Sequence, residues 1–153
     1  MPAKLKTFLD EHHVRYVTIQ HSKAYTAQDV AAKTHISGKE IAKTVIVKLG
    51  GKMVMAVVPA SRKVDLEHLR EVVGAQSAVL ATEAEFKDRF PGCEVGAMPP
   101  FGNLYGLDVW VDESLRDDEE IAFNAGTHTE LVRLAYADFE RLVKPKVREF
   151  ASG

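Results

Sequence analysis

Apolar residues recur at helical spacing near the start of the chain. Leu5, Phe8 and Leu9 within Lys4–His12 predict a short amphipathic helix. Val14–Ile19 alternates imperfectly and predicts a strand. Thr26 is placed to N-cap a helix over Ala27–Lys33, with Asp29 near its positive end. Two β-branched runs follow, Ile41–Leu49 and Met53–Val58, and Gly50-Gly51 between them signals a hairpin. Asp65 suits the cap of a helix reaching about Val73, with Gly74 at its C-terminal end. Ser77–Leu80 predicts a short buried strand. Thr82-Glu83-Ala84-Glu85 has capping-box form and opens a helix to about Phe90, where Pro91-Gly92 stops it. Strands are predicted at Gly106–Val111, Glu120–Asn124 and Thr129–Leu134, then a closing helix over Tyr136–Val143 that ends before Pro145. The tail from about Lys146 to Gly153 is expected to fray.

Helices mixed with hairpins and crossovers point to an α+β domain with a mixed sheet, not a doubly wound parallel fold. The length of 153 residues, without repeats or a low-complexity linker, predicts a single domain over residues 1–153. No apolar run approaches the roughly 20 residues that span a bilayer. Met1-Pro2-Ala3-Lys4-Leu5-Lys6 lacks the apolar stretch of a signal peptide. Cys93 is the only cysteine, so neither a disulfide framework nor a cysteine zinc site is expected. A cytoplasmic location, no membrane partner and a monomeric state are therefore expected.

Charge changes the picture more than composition does. The formal net charge of −2 argues against an indiscriminate nucleic-acid binder. Its distribution is uneven: Lys33–Lys63 holds seven basic residues and one acidic, whereas Glu83–Glu130 holds twelve acidic and three basic. One sector can face a polyanion while the other repels it, although two solvated faces of opposite sign are the simpler account of the counts.

Candidate chemistry is sparse. Gly96-Ala97-Met98-Pro99-Pro100-Phe101-Gly102 makes a stiff loop that can bring backbone N–H and C=O groups close to a ligand. Lys43 shares a strand face with Ile41, Val45 and Val47, which is unusual for a lysine. It is either a cation projecting into a pocket or an edge residue that snorkels to water. His128 closes the turn Asn124-Ala125-Gly126-Thr127-His128, a position that suits presentation of a functional group or nothing more than a turn. No GxGxxG or P-loop sequence occurs, and no histidine spacing suits a metal. Ser61, Ser77 and Ser114 lack a nucleophile-elbow context, and Cys93 has no motif partner.

Three motifs in order carry a resemblance. Ala42-Lys43-Thr44 in the first hairpin strand, Gly96-x-x-x-Pro100 with Phe101-Gly102, and Asn124-Ala125-Gly126-Thr127-His128 resemble the YbaK/prolyl-tRNA-synthetase-associated aminoacyl-tRNA editing domain over about Tyr25–Lys144. The resemblance implies a mixed, partly barrel-like β-sheet surrounded by helices. It implies a free-standing deacylase acting on the acceptor end of an aminoacyl-tRNA, with a synthetase as a further partner and no metal or organic cofactor. It implies that Lys43 holds the terminal nucleotide, that the Gly96–Pro100 loop positions the aminoacyl carbonyl, and that His128 belongs to the pocket. Thr44, Ala97, Met98, Phe101, Gly102, Asn124 and Gly126 are the accompanying substrate-binding candidates. Expected targets are tRNA-Pro charged with Ala, Ser, Thr or Cys, since a synthetase gains only about 1–3 kcal/mol per methylene in telling amino acids apart. A thiol-dependent Cys-tRNA deacylase and a non-catalytic tRNA- or synthetase-binding module are the alternatives.

Overall fold

The fold was analysed in a computed structural model, which describes residues 1–153 apart from the side chains of Ala27 and Gln28. In chain order the elements are α1 (Ala3–Glu11), β1 (Tyr16–Gln20), α2 (Ala27–Thr34), β2 (Ala42–Leu49), β3 (Lys52–Pro59), β4 (Lys63–Val64), α3 (Leu66–Val73), β5 (Ala78–Leu80), α4 (Glu83–Phe86), β6 (Val109–Asp112), β7 (Glu120–Asn124), β8 (Glu130–Ala135), α5 (Tyr136–Val143), β9 (Lys146–Arg148) and β10 (Ala151–Ser152).

The hairpin β2–β3 is the centre of the architecture. Gly50 and Gly51, at φ +57° and +85°, supply the two left-handed positions of its tight turn. The register runs from Ala42 opposite Pro59 to Leu49 opposite Lys52. β6 and then β9 add in parallel on the β3 side, and β5 adds antiparallel on the β2 side, giving the order β5-β2-β3-β6-β9. A second, antiparallel sheet has the order β1-β8-β7, and β4 pairs with β10. The chain is therefore α+β with mixed sheets, as expected, but the sheets stay open and do not close into a barrel.

Strand alternation sorts the core. Ala42, Ile46, Met55, Val57, Val109 and Val111 face one way, against the second sheet, α1 and α5. Val47, Leu49, Val54, Ala56, Val58 and Trp110 face the other way, against Leu69 of α3 and Phe150. A smaller cluster seats Val30 of α2 against Ile41, Ala60, Ala122 and Leu131.

Three expectations are corrected. The tail does not fray: Lys144 turns the chain at φ +54°, β9 takes the free edge of β6, β10 pairs with β4, and Phe150 is wholly buried. Ser77–Leu80 is not a buried strand but an exposed edge, with Val79 48% and Leu80 57% exposed. The helix opened by the Thr82 capping box stops at Phe86 instead of Phe90, because the chain turns there to bury Phe90 against the Tyr105 ring.

Candidate functional site

A gap in the sheet makes the site. Ala60 N–H donates to the Ile41 carbonyl, so Lys43, Val45 and Val47 direct their backbone groups towards β3, while Ala42, Thr44 and Ile46 direct theirs to the opposite side. On that opposite side β7 meets the chain only at the Ile41–Ala122 bridge, and β5 begins only opposite Val47. Ala81 N–H takes the Ile46 carbonyl. Between these two neighbours the Thr44 N–H and C=O face an opening with no strand across it.

A cavity of about 310 Å³ occupies this opening. Ile41 and residues Ala42–Val45 of β2 form its floor, Tyr25, Thr26 and Val30 one wall, and Gly96, Met98 and Asn124 the other. Lys43 is the one charged side chain among the described lining residues. Its ammonium donates to the Arg62 carbonyl at 2.8 Å, which leaves two donors free. Burial, and secondarily the charge of Lys63, pull its pKa below that of an ordinary lysine. The Thr44 hydroxyl and the Asn124 side-chain oxygen are buried here without a partner. Among the described residues, no group of three or more His, Cys, Asp or Glu side chains is arranged to hold a metal ion.

The glycine-rich loop and the Asn124–His128 turn form one hydrogen-bonded unit. Glu94 N–H donates to the Gly126 carbonyl at 2.7 Å, and Gly126 N–H donates to the Ala97 carbonyl at 2.8 Å. His128 N–H donates to the Glu94 carboxylate at 2.8 Å. The His128 ring, only 6% exposed, bonds through Nε2 to the Val95 carbonyl at 2.9 Å, which assigns the proton to Nε2. The ring also packs at a tilt against that of Tyr25, with centroids 4.9 Å apart. Gly96 takes a left-handed φ of +86°, and its N–H meets only the Met98 sulfur at 3.2 Å. Sulfur is a weak acceptor, so this N–H is available to a ligand oxygen.

The cavity thus brings together Lys43, Thr44, Gly96, Met98 and Asn124, which reach from β2 to the end of β7 in the sequence. The other candidates stand elsewhere. Ala97 and Pro100 are buried in the loop, and Gly126 bonds the two loops together. Phe101 is fully buried between the rings of Phe123 and Phe139. Gly102 packs where a Cβ would lie 2.7 Å from the Val109 side chain and 2.8 Å from the Leu107 carbonyl. His128 braces the loop from behind the cavity lining. No local signal in the sequence marks the Tyr25, Thr26 and Val30 wall, because α2 reads as an ordinary capped helix.

Residues 21–142 match the aminoacyl-tRNA editing domain family. The chain is 36% identical over 114 residues to the multifunctional Ser/Thr-tRNA deacylase ProXp-y of Escherichia coli K12, an overlap of 71% of this chain and 68% of that protein. It is 25% identical over 148 residues to the prolyl-tRNA editing protein ProX of Acetoanaerobium sticklandii, covering 93% and 90% of the two chains. Its fold superposes on a crystal structure described as a candidate trans-editing enzyme for prolyl-tRNA synthetase with a TM-score of 0.82 at 22% identity, over 98% of this chain and 96% of that one.

Proposed function

Because the chain belongs to the aminoacyl-tRNA editing domain family, we propose that it is a trans-acting deacylase that hydrolyses the ester of a mischarged tRNA. The observation that carries the proposal is the cavity itself. Within the matched stretch, a partly buried lysine, an open strand edge and a weakly satisfied glycine N–H converge on a space suited to a small aminoacyl group.

Water attacks the ester carbonyl carbon, the bond to the terminal ribose oxygen breaks, and that oxygen takes a proton. Free amino acid and uncharged tRNA leave. The ester is already activated, so positioning and N–H donors to the developing oxyanion supply the catalysis without a nucleophile–base pair. Lys43 holds the ribose–phosphate end, the Gly96–Pro100 loop holds the ester carbonyl, and His128 fixes that loop. Thr44 and Asn124 give the cavity polar walls, which suits the small hydroxyl amino acids in the name of the Escherichia coli relative. Lys33, Lys39 and Lys63 are exposed and make no ion pair among the described residues, whereas Lys48 and Lys52 are tied to Glu85 and Asp108. The free lysines suit the acceptor-stem phosphates of tRNA-Pro.

The test is a panel of tRNA-Pro charged with Ser, Thr, Ala, Cys or Pro, incubated with the protein. Loss of a mischarged species while Pro-tRNA-Pro survives is the expected result. Stoichiometric binding without ester loss would replace the enzyme with a binding module, and loss of Cys alone, dependent on its thiol, would point to the thiol-dependent reaction.

A further inference from the structure

Arg62 connects the cavity to the most deeply buried charge among the described residues. Its backbone carbonyl accepts the Lys43 ammonium at 2.8 Å. Its guanidinium donates to the Ala151 carbonyl at 2.8 Å and lies 3.7 Å from the Asp112 carboxylate. Asp112, at the end of β6, has no exposed side-chain surface. One of its oxygens accepts the Phe150 and Ala151 N–H groups, each at 2.8 Å. The other accepts the Ser114 N–H at 3.1 Å and the Ser114 hydroxyl. β4, which follows Arg62 directly, is held by β10 of the same C-terminal segment.

A buried carboxylate is costly unless its oxygens are satisfied, and apolar residues would anchor a tail at lower cost. Burial alone would raise the Asp112 pKa, but the bonds from Ser114, Phe150 and Ala151 outweigh it and keep the group ionised. The Arg62 guanidinium lies within ion-pair distance of this charge, at 3.7 Å, without a hydrogen bond to it, and Arg62 is the residue that carries the acceptor for Lys43. A lysine stem is flexible, so an ammonium with a fixed acceptor is preorganised in a way a free one is not.

We propose that Asp112 and Arg62 are a positioning pair for Lys43: the carboxylate holds the Arg62 side chain and the C-terminal strand, and the Arg62 carbonyl so fixed sets the ammonium at the cavity. The proposal rests on the reading of Lys43 as the cation of a deacylation site.

The experiment measures deacylation of Ser-charged tRNA-Pro by wild type, Lys43→Ala, Asp112→Asn, Arg62→Met and Arg62→Lys, each with a thermal melt. Positioning predicts that Asp112→Asn and Arg62→Met lower kcat by about tenfold, the value of one hydrogen bond to a charged group, with KM within about twofold. Arg62→Lys, which keeps a cation for Asp112, recovers part of the loss. A field effect has the opposite signature: removing the negative charge of Asp112 would tighten tRNA binding, and removing the positive charge of Arg62 would raise KM and its salt dependence. Wild-type kcat in folded Asp112→Asn and Arg62→Met, with Lys43→Ala inactive, overturns the positioning role alone. If Asp112→Asn does not fold, the Arg62 pair decides, because that side chain is 35% exposed and its removal leaves the hydrogen bonds to Asp112 in place. Full activity in Lys43→Ala, or none in wild type, overturns the site reading and the positioning role with it.

Discussion

Lys43→Met separates the chemistry of the site from the stability of the fold. Methionine keeps an unbranched stem on the face that Lys43 shares with Val45 and Val47, above α3, and deletes only the ammonium. On stability the structure sets two effects of opposite sign against each other. The Arg62 carbonyl loses its 2.8 Å donor, which costs about 1 kcal/mol. Removing a partly desolvated cation, also repelled by Lys63, offsets part of that loss. The net change is expected within about 1 kcal/mol, or roughly 2–4 °C in Tm for a chain of this length. On activity nothing compensates. A hydrogen bond from a charged donor, here to the ribose–phosphate end, is worth about 1.5–3 kcal/mol. Loss of the ammonium therefore lowers kcat/KM by roughly 10- to 150-fold. The assay is single-turnover release of labelled serine from tRNA-Pro, run beside a thermal melt of the same preparation. A variant that melts with wild type and loses less than about threefold in rate would refute the role of Lys43 in the reaction.

Gly102→Ala places a Cβ against the Val109 side chain and the Leu107 carbonyl, so the backbone must shift; an overpacking cost of about 1–3 kcal/mol should lower Tm by roughly 3–10 °C in a thermal melt, and an unchanged Tm would mean the loop yields freely. The Lys43 ammonium should titrate below the ordinary lysine value of 10.5 when followed by carbon NMR at its ε position, and Lys63→Gln should move the midpoint upward by removing the repelling charge; a midpoint at or above 10.5 would contradict the burial described.

Local signals in the sequence were read well wherever backbone chemistry alone decides. Thr26, Asp65 and Thr82 each cap the helix expected of them, and Gly50-Gly51 turns the hairpin as expected. The errors fall where tertiary contacts decide. Lys146–Gly153 carries little periodicity, yet a free edge on β6 and a buried carboxylate at Asp112 order it. Ala78–Leu80 is apolar enough to suggest burial, but it is the last strand of its sheet and nothing covers Val79 and Leu80.

The site shows the same division. Lys43 was legible because a charge on an apolar strand face is a local anomaly, and the Gly96 loop because glycine and proline announce special backbone. What a residue faces was not legible. Phe101 and Gly102 lie only a few positions from Gly96 and belong to the core, because the chain turns inward after Pro100. His128 reads as a loop histidine presented to a ligand, but its Nε2 is taken by Val95, so its place is behind the loop it was expected to accompany. Asp112 is the extreme case. Its four hydrogen bonds go to Ser114, two residues on, and to Phe150 and Ala151, thirty-eight and thirty-nine residues on. No spacing rule connects such positions; only the parallel pairing of β6 with β9 brings the C-terminal backbone to that carboxylate, and through Arg62 to the lysine in the cavity.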